Sequence, residues 1–145
     1  MALPIIDTNI FIRFLTGDDP EKQATCAVLF HQIEKGKRSA FVPDMIVAEV
    51  VYVLSSARLY HHSHQEVAEL VTPLLSLPHL QVANRQVHLR ALRMYAETPR
   101  LDYADAYIVA LMEQGQSNDL ISYDSDYDRF PFITRKEPEP IKHAA

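Results

Sequence analysis

The sequence predicts an α/β fold in which a mostly parallel sheet is flanked by helices, and three observations predict it. Short apolar runs that end on an acid or a proline alternate with longer segments of helical periodicity. Helix start signals fall between them, Pro20 at a first turn and Ser63 with Glu66 as a capping-box pair. A 48% hydrophobic fraction with only 3 glycines belongs to a compact globule.

The elements follow in order. Leu3–Ile6 reads as a short buried strand, and Asp7-Thr8 then caps a helix over Asn9–Leu15. "TGDDP" breaks that helix, and the next runs from Pro20 to about Glu34, with Gly36 just beyond its end. "SAFVP" is a second strand stopped by Pro43, and Asp44 to Leu59 is a long apolar helix. Ser63 opens a helix to about Ser76, "LQVA" (80–83) is a strand, and Asn84 caps a helix running to Glu97. Asp102 opens a helix to about Gln114, "DLISYD" (119–124) is a strand, and "FITR" adds an edge strand. No internal repeat or linker divides the chain.

At 145 residues one domain is expected, over residues 1–136, with a frayed tail over 137–145 that carries two prolines. Such a chain buries roughly 70% of its unfolded surface. The lone Cys26 excludes an internal disulfide and a multi-cysteine zinc site. The N-terminus lacks a basic start and meets Asp7 almost at once, and the longest apolar run is too short for a membrane span. A cytoplasmic protein without a membrane partner is therefore expected. The net charge of −5 argues against a generally basic nucleic-acid binder, but not against an enzyme whose acids hold a cation.

The acids carry the chemistry. Asp7 ends the first strand and Asp124 the fourth, and ligands of open α/β sheets bind outside the carboxyl ends of strands. Glu49 has Val47, Ala48, Val50 and Val51 around it, so it either lies on a narrow solvent-facing stripe or projects from a buried helix into a polar site. Asp102 and Asp105 share one helical face; Asp102 reads as an N-cap, whereas Asp105 heads a mostly apolar helix. Asp128 reads as a turn residue, and Asp126 stays open between turn and site. Convergence of Asp7, Glu49, Asp105 and Asp124 would bring strong repulsion unless protons or cations compensate, and all-oxygen donors favour Mg²⁺ or Mn²⁺. Such a site suits phosphodiester hydrolysis. "HHSH" (61–64) reads as a solvated loop in which Ser63 is the cap.

Four stretches, "IIDTNIFIRFL", "VPDMIVAEVVYVL", "LDYADAYIVALM" and "LISYDSDYDRFP", resemble the PIN-domain nucleases, and within them the VapC-type toxins of toxin–antitoxin pairs. They stand in that family's order over roughly residues 3 to 135. The resemblance implies a three-layer α/β/α fold with a central, mostly parallel sheet of four to five strands. It implies cleavage of single-stranded RNA by an acidic site holding one or two Mg²⁺ or Mn²⁺ ions, a small VapB-like antitoxin, and pairing as a homodimer. Carried over by position, the family's acids fall on Asp7, Glu49, Asp105 and Asp124. Thr8 and Asn9 match the polar pair after the first acid, and Ser122 stands where many relatives carry threonine. Asp126 and Asp102 are possible additional acids.

Three other readings are weighed against this one. A stand-alone PIN nuclease in RNA processing would share the site without the antitoxin, and a non-catalytic PIN domain would bind RNA or protein without cutting. A phosphohydrolase of the haloacid-dehalogenase type also begins with an acid at the first strand end. It wants a second acid two residues later, where this chain has Asn9.

Overall fold

The computed structural model describes residues 2–115 and 117–141. Two compact units emerge, Met1–Ala110 and Leu111–Ala145. The elements are mixed α and β, with parallel strands, as the sequence predicts.

In the first unit, residues 4–6 form an extended segment bridged to β1 (Ala40–Val42). The Phe41 N–H donates to Pro4 O at 2.8 Å and the Ile6 N–H to Phe41 O at 3.0 Å. β1 pairs in parallel on its other side with β2 (Leu80–Val82), Ala40 facing Leu80 and Val42 facing Val82. Val42 and Leu80 are fully buried, so this small sheet lies inside the core. Its strands are three residues long, shorter than the apolar runs suggest.

The helices of this unit pack on one another. α1 (Thr8–Leu15) packs on α2 (Pro20–Glu34) and on α3 (Asp44–Ser55), and α4 (His64–Leu75) lies along α5 (Arg85–Glu97). Phe11 and Phe14 of α1 meet Phe30 of α2 at ring separations of 5.4 and 4.9 Å. The limits of α2 match the sequence reading, because Pro20 fixes its start and Gly36, at φ +75°, turns the chain beyond its end. Ser63 and Glu66 form the expected capping box.

Two expectations are corrected here. α3 ends at Ser55, not Leu59: Ser56 is extended, and its carbonyl accepts from the N–H groups of Leu59 and His61, which closes a loop over 56–61. The Tyr60 hydroxyl holds that loop by donating to Asp18. Asn84 stands at the N-cap position of α5 and its carbonyl accepts from the His88 N–H at 3.0 Å, but its side chain makes no capping bond; the backbone is left-handed at φ 51° and the amide reaches Asp44 instead.

α6 (Tyr103–Glu113) begins one residue after Asp102, whose carbonyl accepts from the Ala106 N–H at 3.0 Å. In the second unit, β3 (Asp119–Ile121) pairs in parallel with β4 (Thr134–Lys136), and a 3₁₀ turn over Ser125–Arg129 lies between them. The sequence reading runs β3 to Asp124; the pairing stops at Ser122, whose N–H donates to Lys136 O at 3.0 Å. β4 starts two residues into "FITR" (132–135) and ends one residue beyond it. Residues 137–141 carry no regular structure, and the rest of the expected tail, 142–145, lies outside the described residues.

Candidate active site

Asp7 stands where the bridged segment passes into α1. It is the N-cap: its backbone is extended and its Oδ1 accepts from the Thr8 N–H at 2.8 Å. The carboxylate is exposed at the positive end of the helix, where an anion is favoured. Beside it Thr8 is buried, and its Oγ1 has no hydrogen-bond partner. A buried hydroxyl left in that state costs about 1–3 kcal/mol, so it needs an explanation beyond packing. Asn9 is exposed on the same helix.

Glu49 is exposed on α3, whose Val47, Val50, Val51 and Leu54 are buried. Its carboxylate therefore keeps access to solvent, the first of the two possibilities raised by its apolar neighbours. Asp105 is half-buried in the first turn of α6, and Asp102 is exposed just before it.

In the second unit, Asp124 caps the 3₁₀ turn and accepts from the Asp126 N–H at 2.9 Å. Ser122 Oγ accepts from the Asp124 N–H at 3.0 Å, so the hydroxyl at position 122 shapes the backbone that presents Asp124. Arg135 on β4 stiffens this loop. Its Nη1 donates to Ser122 O at 3.0 Å, while Nε and Nη2 bond the two oxygens of Asp128 at 2.9 and 3.1 Å. Asp128, read as a turn residue, is therefore the partner of Arg135. The arginine escapes sequence reasoning because nothing in "FITR" marks it as the brace of a loop that starts at position 122.

Glu49 and Asp105 sit on two helices of the first unit, with Asp7 at the start of a third. Among the described residues, no three His, Cys, Asp or Glu side chains stand close enough together to hold a metal ion. The donors on offer are all oxygen, which suits Mg²⁺ or Mn²⁺, and the buried Thr8 hydroxyl lies beside the first of them. The chemistry of the donor set thus fits a hard cation. The "HHSH" segment is less solvated than expected. His64 Nδ1 lies 3.0 Å from Tyr95 O, with the two rings stacked at 3.7 Å, and His62 pairs with Glu66 at 3.1 Å.

A second polar group, not anticipated from sequence, joins three helices. His88 of α5 is 1% exposed, with Nε2 2.8 Å from Asp44 Oδ1 and Nδ1 2.7 Å from the Tyr103 hydroxyl. Tyr107 donates to the same Asp44 oxygen at 3.1 Å, and Asn84 Nδ2 reaches both Asp44 oxygens at 3.2 and 3.0 Å. Burial pushes the His88 pKa down, against the opposing pull of Asp44. Desolvation alone would raise the Asp44 pKa, but hydrogen bonds from Asn84, His88 and Tyr107 together carry it below the usual range. Burial holds the Tyr103 phenol protonated. The consistent assignment is a neutral His88 that donates from Nε2 to an ionised Asp44 and accepts from Tyr103 at Nδ1.

This arrangement sets a pH dependence. Native His88 resists protonation, so the unfolded chain binds more protons once the pH falls below His88's ordinary 6.5. Its contribution to stability is full above that pH and is lost on acidification, and the depressed Asp44 acts in the same direction at lower pH. The melting midpoint is expected to fall between pH 7 and 5. Calorimetry on His88→Gln should show a flatter acid limb than the wild type.

Parallel strands interleaved with helices, and an acid capping the first helix directly after the first strand segment, define an α/β domain. The chain belongs to the PIN domain family, whose model matches residues 5–133. It is similar to the VapC ribonuclease of Aquifex aeolicus (strain VF5), 24% identical over 95 residues that cover 66% of this chain and 68% of that protein. Among the described residues, no helix is long and apolar enough to cross a membrane.

Proposed function

We propose that the chain is a metal-dependent endoribonuclease that cuts single-stranded regions of RNA and acts as a growth-inhibiting cytoplasmic toxin held in check by a small VapB-like antitoxin. The observation that carries this reading is Asp7, an exposed carboxylate fixed at a strand-to-helix junction, beside a buried hydroxyl with no partner. It stands within the matched PIN region, as do Glu49, Asp105 and Asp124. The similarity to a protein named VapC ribonuclease supports RNA as substrate.

In this reading Asp7, Glu49, Asp105 and Asp124 hold one or two Mg²⁺ or Mn²⁺ ions. Bound there, the metal supplies an activated water and neutralises charge that develops on the phosphate. The chain's own residues do the positioning. The Thr8 N–H orients the Asp7 carboxylate, and Ser122 with Arg135 fixes the loop that carries Asp124. Thr8 Oγ1, left without a protein partner, and Asn9 lie next to the first acid on its own helix, where they would orient a metal-bound water. Asp126 and Asp102 are supplementary acids at the edges of the site.

Met45 and Tyr52, 81% and 68% exposed on α3, support a homodimer through that helix. Light scattering should then report about twice the mass of 16.6 kDa, and a monomer at micromolar concentration would count against pairing. The toxin role is tested by expressing the chain with and without the protein encoded beside it. Growth arrest relieved by the neighbour supports the role, and no arrest at all favours a stand-alone PIN nuclease in RNA processing.

A further inference from the structure

We propose that Asp44 and His88 are positioning residues for the candidate site, because they bond together the helices that carry Glu49 and Asp105. The inference rests on the ribonuclease reading and extends it to residues outside the four acids. Asp44 opens α3, the helix that carries Glu49 five residues on, so the two are about 7.5 Å apart along one rigid axis. Tyr103 and Tyr107 flank Asp105 on α6. His88 bridges the two helices from α5, contacting Asp44 at 2.8 Å and Tyr103 at 2.7 Å, and Tyr107 closes the circuit to Asp44 at 3.1 Å.

The group sets a buried, neutral imidazole against a carboxylate whose side chain stays 44% exposed. What hydrogen bonds add is direction: each of the three partners of Asp44 has a preferred distance and angle, so α3 and α6 are held in one rotation and one axial register. A carboxylate displaced by about 1 Å can cost on the order of 10²-fold in rate, and helices packed only by valines and alanines resist such slippage less. The group therefore holds the backbone that presents Glu49 and Asp105, without touching substrate.

The test compares Asp44→Ala, Asp44→Asn and Tyr107→Phe with Asp105→Asn as reference. It measures Mn²⁺ affinity by calorimetry, and kcat and KM on a single-stranded RNA, well below each variant's melting midpoint. Asp44→Ala is expected to weaken Mn²⁺ binding and lower kcat by roughly tenfold each, in the range for partners behind metal ligands, with KM for RNA unchanged. Asp44→Asn, whose amide oxygen still accepts from His88 and Tyr107, should recover most of both. A joint that serves stability alone would lower the melting midpoint and leave the folded protein's Mn²⁺ affinity and kcat intact, and that result overturns the inference. Tyr107→Phe keeps the ring and removes the hydroxyl's bonds to Asp44 and from Asn84, so it decides the question if Asp44→Ala does not fold: a severalfold weaker Mn²⁺ affinity supports the role, and an unchanged one overturns it. If Asp105→Asn retains full cleavage, the ribonuclease site itself is misassigned and this inference falls with it.

Discussion

Asp7→Asn is expected to abolish metal-dependent RNA cleavage while leaving the melting midpoint within about 3 °C of the wild type. The asparagine keeps a side-chain oxygen that can accept from the Thr8 N–H, and asparagine caps helices about as well as aspartate, so α1 should form unchanged. What disappears is the negative charge needed to hold a hard cation. Outer partners of metal ligands typically cost 10–100-fold when removed, and loss of a ligand should exceed about 100-fold. Single-turnover cleavage of a labelled RNA, alongside a thermal melt of the same sample, checks both halves. Full activity in a folded variant would remove Asp7 from the site.

Leu54→Ala is expected to do the reverse. Leu54 is fully buried on α3, the helix whose exposed side carries Glu49. Truncation should cost about 2–5 kcal/mol, from lost burial and the cavity left behind. For a chain of this size that lowers the melting midpoint by on the order of 10 °C. Cleavage measured at 25 °C should survive, because the change lies in the core beneath the helix and removes no acid. Differential scanning calorimetry and the same RNA assay would separate the effects, and an unshifted midpoint would contradict the packing described for α3.

The contrast between these substitutions reflects what a sequence displays. Pro20, Gly36 and the Ser63–Glu66 pair act within a few residues of their own position, so the ends of α2 and the start of α4 are legible. α3 is not, because its apolar run continues past Ser55 while the chain is turned by a loop that Tyr60 ties to Asp18, 42 residues away. Asn84 misleads for a similar reason. Its amide can cap a helix, but the Asp44 carboxylate, 40 residues upstream, binds it instead. Strand lengths are overestimated wherever apolar character outlasts the pairing partner, as at residues 119–124.

The candidate site divides along the same line. Asp7, Glu49, Asp105 and Asp124 are visible as acids that interrupt or end apolar segments, and local chemistry alone raises the question of a cation. Thr8 and Ser122 are adjacent to the acids they serve, so their pattern is local too. Arg135 and His88 are not legible, since each gains its meaning from a partner brought close only by folding, across 13 residues for Ser122 and 44 for Asp44. Exposure also escapes the sequence: the valines around Glu49 suggest burial, yet only one side of α3 is covered.

The most direct test of the central claim uses the wild-type chain alone. A 5′-labelled single-stranded RNA is incubated with purified protein in Mg²⁺, in Mn²⁺, and in excess chelator. Internal cuts with either cation, lost in chelator and restored when the cation is returned, are the predicted result. Equal cleavage in chelator, or intact RNA at every cation concentration with folded protein, would contradict it.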